Sequence, residues 1–77
     1  MSKKIIYYPE ATILKSYDTF VAVKRVAAED MVTEQHYSKT TTRQINEFFG
    51  GSEVTKGAEK VSQELLDVMG KFIEAPQ

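Results

Sequence analysis

The side chains best equipped for chemistry fall in two stretches. The first is HYSKTTTR (36–43), which places an imidazole, a run of hydroxyls and two cations within eight residues. A hydroxyl becomes a nucleophile only beside a base and a donor pair that stabilises the developing oxyanion, and no such grouping can be assembled nearby. His36 is the single histidine and the chain has no cysteine, so the nitrogen and sulfur ligands of a zinc set are missing. Asp18, Glu29, Asp30 and Glu34 lack the alternate-residue spacing of a calcium loop and read as solvated turn charges. In GGSEVTKG (50–57) the lysine precedes the last glycine, and a helix rather than a strand leads in, which is the wrong order for a phosphate loop. What remains is the start of a helix. Its free N–H groups, with Ser38, Lys39 and Arg43, make a minor anion-binding candidate. This reading predicts no catalytic residue, no metal and no cofactor.

The second stretch interleaves Lys3, Lys4, Tyr7, Tyr8, Lys15, Tyr17, Lys24 and Arg25. That mix suits a stacking platform for single-stranded nucleic acid. It equally suits a sheet whose tyrosines finish the core while its lysines guard the edges. Tyrosine also brings large contact area to protein recognition at low entropic cost. The expected partner-binding set is Tyr7, Tyr8, Tyr17, Lys24 and Arg25, on an exposed sheet side or edge.

These residues need a scaffold, and 77 residues can close only one core, so residues 1–77 are expected to form a single small domain. A hydrophobic share of 42% with 27% charged residues is ordinary for a soluble globular chain. The net charge of −1 gives no overall drive toward nucleic acid or an anionic membrane. The apolar run in MSKKIIYYPEA is too short for a signal peptide, and nothing approaches a membrane span. A cytoplasmic location follows as the expectation.

Residues 3–8 are β-prone up to Pro9 and read as an edge strand. ATILKS (11–16) and TFVAVKRV (19–26) read as a hairpin around Tyr17-Asp18, the second being the central strand. MVTEQHY (31–37) reads as a fourth strand. After Ser38 the apolar period lengthens, with Thr41, Ile45, Phe48 and Phe49 on one helical face. Thr41 and Gln44 have capping-box spacing, Ser38 and Thr40 compete as caps, and Gly50-Gly51 ends the helix. Residues 52–74 carry Val54, Ala58, Val61, Leu65, Val68 or Met69, and Phe72 at helical spacing, predicting one long amphipathic helix weakened at Gly57 and Gly70. The expected class is α+β: a three- or four-stranded antiparallel sheet covered on one face by two C-terminal helices.

SYDTFVA (16–22) and YSKTTTRQINEF (37–48) together resemble a pattern in small, uncharacterised bacteriophage proteins. The resemblance covers about half the chain and brings no catalytic residues with it. In size and layout the chain also resembles phage anti-CRISPR proteins. The resemblance implies a phage-encoded accessory protein in the host cytoplasm that binds and blocks a host or anti-phage defence protein. The alternative is a small nucleic-acid-associated module. A homodimer would add burial to so small a core.

Overall fold

The computed structural model describes residues 3–74. Five strands, β1 (Lys3–Tyr7), β2 (Ala11–Ser16), β3 (Thr19–Arg25), β4 (Met31–Thr33) and β5 (Glu59–Val61), form one sheet in the order β1-β2-β3-β4-β5. Between β4 and β5 run the helices α1 (Lys39–Phe49) and α2 (Ser52–Lys56), and α3 (Gln63–Glu74) follows β5. The first four strands are an antiparallel meander; β5 pairs with β4 in parallel. Parallel neighbours need a long crossover, which α1 and α2 supply.

The class is α+β, and three finer expectations are corrected. The sheet has five strands and is mixed. It is covered on both faces. The segment 52–74 is not one helix. The physical reason lies at Gly57 and Ala58, where the bonds from Gly57 N–H to Val54 C=O (3.0 Å) and from Ala58 N–H to Thr55 C=O (3.0 Å) tighten and end α2. On one helix Ala58 and Val61 would share a face. Here Ala58 packs into the cluster with Leu14, Phe48 and Phe49, and Val61 into the cluster with Phe20, Leu66 and Ile73. The chain crosses from one side of the sheet to the other by becoming its edge strand. The predicted strand 31–37 stops at Thr33: Glu34 N–H makes the last ladder bond, to Val61 C=O (2.8 Å), where β5 ends, and Gln35 N–H turns back to the Thr33 hydroxyl (3.1 Å).

Two cores result, one on each side of the sheet. Under α1 lie Leu14, Val21, Ala22, Val32, Ile45, Phe48, Phe49 and Ala58. Under α3 lie Ala11, Ile13, Phe20, Val23, Met31, Val61, Leu66 and Ile73. Both sides draw on β2 and β3 through the alternation of a strand, which a bulge interrupts in β3. Leu14 pairs with Ala22 but Lys15 with Phe20, so Val21 is an extra residue, and Val21 and Ala22 both enter the α1 side.

Between β2 and β3, Tyr17 (φ 52°) and Asp18 (φ 67°) are both left-handed. That is the two-residue geometry whose twist matches a hairpin, built here without asparagine or glycine. Beside this turn the buried Ser16 joins β2 to α1. The Ser38 hydroxyl donates to Thr41 (3.2 Å), Thr41 to Ser16 (3.2 Å), and Ser16 to Gln44 Oε1 (2.7 Å). Ser38 is the helix cap, accepting from Thr41 N–H at 3.1 Å, and Gly50 at φ 99° closes the helix. Thr41 and Gln44, the predicted capping box, instead bond across to the sheet.

Candidate functional site

The five expected partner-binding residues do not share one surface. Tyr7, Thr12 and Lys24 stand opposite one another across β1, β2 and β3. Lys24 extends over the rings of Phe48 (5.0 Å to the centroid) and Phe49 (5.9 Å), so it faces α1. Tyr8 packs half-buried against the α3-side core. Arg25 also lies on that side, its Nε donating to Glu29 C=O at 2.8 Å. Tyr17 stands alone at the hairpin tip. Lys15, between Phe20 (4.7 Å) and Glu74 (3.4 Å), is likewise held within the fold. The open sheet face expected to carry the site is closed by α3 on one side and by α1 on the other.

Among the described residues no strand lies beyond β1 or β5, and β1 is the longer of the two edges. β1 pairs with β2 alone. Its register runs from Lys3 opposite Ser16 to Tyr7 opposite Thr12. Tyr17 therefore stands just past one end of the strand and Tyr7 marks the other, 61% and 76% exposed. The four steps from Lys3 to Tyr7 cover about 13 Å. An edge strand of this kind offers unpaired N–H and C=O groups to another extended chain. Lys3 is drawn onto Glu47 of α1 (3.7 Å), leaving Lys4 as the charge on the edge.

The anion candidate at the start of α1 is differently placed. The Ser38 hydroxyl is committed to Thr41, while Lys39 and Arg43 are exposed and no acidic residue occupies the first turn. His36 and Lys60 are among the residues lining a cavity of about 190 Å³ beside β4, β5 and α1. Among the described residues no three His, Asp or Glu side chains are placed to hold a metal ion. Tyr37 donates its hydroxyl to Gln63 Oε1 (2.7 Å), and the Gln63 amide donates to Phe20 C=O (2.7 Å) and Asp67 (2.9 Å). Desolvation, and then the charge of Asp67, raise the Tyr37 phenol above its ordinary pKa.

One surface escaped the reading of the sequence. The stripe Leu65, Val68 and Phe72, expected to pack on the sheet, points outward at 44%, 65% and 78% exposure. Leu66, Gly70 and Ile73 are buried instead. Helix α3 carries two apolar stripes, and the sequence signal for the buried one was Gly70, a glycine that gives way to Phe20.

No helix among the described residues is long and apolar enough to cross a membrane. No curated protein and no solved structure matches the chain. Residues 1–67 match a family of unknown function, DUF8033. With that match spanning most of its length, the chain belongs to the DUF8033 family.

Proposed function

We propose that the protein is a non-catalytic binding module that takes an extended segment of a partner protein onto the free edge of β1. The observation that carries this reading is the unpaired β1 edge with Tyr7 and Tyr17 exposed at its two ends. Backbone pairing would supply affinity, and the two phenol rings would grip the segment where it enters and leaves. Lys4 favours an acidic residue in the added strand. Following the resemblance to small bacteriophage proteins, the partner is a host or defence-system protein, blocked by occupation of its surface. The nucleic-acid alternative loses support from the geometry: Lys15, Lys24 and Arg25, three of its five basic residues, are spent on contacts within the fold on opposite sides of the sheet.

Tagged protein carrying a photo-crosslinker at Lys4 should recover one dominant protein from host lysate, with the crosslink in a contiguous extended segment. Replacing Tyr7 and Tyr17 together with alanine should cut recovery at least tenfold while leaving the circular dichroism spectrum unchanged. Crosslinks scattered over many proteins, or recovery indifferent to both tyrosines, would defeat this reading. Retention of nucleic acid that fades steeply with salt would support the alternative.

A further inference from the structure

Helix α3 has a second interface to fill. Its inner stripe seals the sheet, yet Leu65, Val68 and Phe72 form an outer stripe at i, i+3 and i+7 that covers two turns of exposed apolar surface. The patch continues past Phe72 into an apolar cavity of about 230 Å³ lined by Met69, Ala27 and Ala28. A continuous exposed patch of this kind marks an interaction surface rather than a scatter of single residues.

The charges beside the stripe say what covers it. Glu64 sits in the first turn and Lys71 in the last. Seven residues apart, they lie on the same flank of the stripe, about 10 Å from each other along the helix axis, out of mutual reach. We infer that the occupant is a second copy of this chain, its α3 packed antiparallel across a two-fold axis near Val68. That one operation sets Leu65 against the partner's Phe72 at the rim of the apolar cavity. It also sets Glu64 beside the partner's Lys71, and repeats both contacts by symmetry. A parallel pairing would put the two charged flanks on opposite sides of the interface, leaving Glu64 and Lys71 out of each other's reach. Because α3 lies over β3 and β4, the two β1 edges stay open in such a pair.

Light scattering coupled to size exclusion should give a mass approaching 17.4 kDa, twice the 8.7 kDa of one chain, at high micromolar concentration, falling on dilution. Phe72→Asp, at an exposed position, should leave a folded monomer at every concentration. Glu64→Lys or Lys71→Glu alone should weaken association about tenfold, since each turns two attractions into two repulsions. The two changes combined should restore it. The chain has no cysteine of its own, so Val68→Cys should oxidise to a disulfide-linked dimer while Glu53→Cys on α2 should not. A wild-type monomer at hundreds of micromolar, a dimer indifferent to Phe72→Asp, or a folded double charge swap that fails to recover would each overturn the inference.

Discussion

Gly70 lies against Phe20 so closely that a Cβ built on it would come within 2.5 Å of the ring's Cδ1 and 2.6 Å of its Cγ. Phe20 cannot swing away. It is buried, and Lys15 covers its face. Helix propensity alone would make Gly70→Ala stabilising by about 1 kcal/mol. Overpacking opposes it at about 1–3 kcal/mol. Urea denaturation should therefore show a net loss of stability, and Phe20→Leu in the same chain should recover part of it.

The left-handed pair Tyr17 and Asp18 is strained, since non-glycine residues cost about 1–2 kcal/mol each in that conformation. Tyr17→Asn combined with Asp18→Gly should raise the thermal midpoint and stabilise the protein by about 1 kcal/mol. If the β1 edge is the binding surface, the same double change should weaken partner recovery, because Tyr17 is lost. Stability and binding then move in opposite directions, a result that plain destabilisation cannot mimic.

Ser16 is the centre of the buried relay from Ser38 through Thr41 to Gln44. Ser16→Ala leaves the Gln44 carbonyl and the Thr41 hydroxyl without that partner in the core. A buried polar group deprived of its bond costs about 1–3 kcal/mol. Chemical denaturation should show a loss in that range, larger than for Ser38→Gly, which removes the cap and the outer bond of the relay at an exposed position, with an expected cost of a few tenths of 1 kcal/mol.

Folding favours the neutral Tyr37 phenol, whose pKa is raised in the folded state by desolvation and by Asp67. The stability it contributes is fully present below the ordinary tyrosine pKa and is lost as pH rises through the raised folded value. Comparing wild type with Tyr37→Phe in denaturant titrations across the alkaline range should show the wild type falling more steeply. Parallel curves would remove Tyr37 from the alkaline response.

Much of the sheet was legible. Pro9 marked the end of β1, the Tyr17-Asp18 turn fixed the β2–β3 hairpin, and Ser38 with Gly50 framed α1. The failures share one cause. Val54, Ala58, Val61 and Leu65 are spaced as a helical stripe, and spacing says nothing about which side of a sheet each residue meets. The structure leaves Val54 and Leu65 outward and sends Ala58 and Val61 to opposite cores. Once 52–74 is read as one helix, it can cover only one face, and a bare face becomes the natural binding site. For the site, Tyr7 and Tyr17 kept the exposure their chemistry suggested. Lys24 and Arg25 did not, because nothing next to them in sequence gave a sign that Phe48 and Phe49 would lie beneath Lys24 or that Arg25 would bond to Glu29 C=O. The outer stripe of α3 was visible as residues but assigned to the wrong side, for want of a reason to bury Gly70.

The crossing at β5 also orders events on the ribosome. Ile13, Phe20 and Val23 emerge early, yet Leu66 and Ile73, which lie over them, are among the last of the described residues to be made. A growing chain thus carries a bare oily wall until residues 63–74 have followed the meander out, the state in which unfinished sheets stick to one another. Chaperone demand should peak in the interval when the meander has formed and α3 is still inside the exit tunnel.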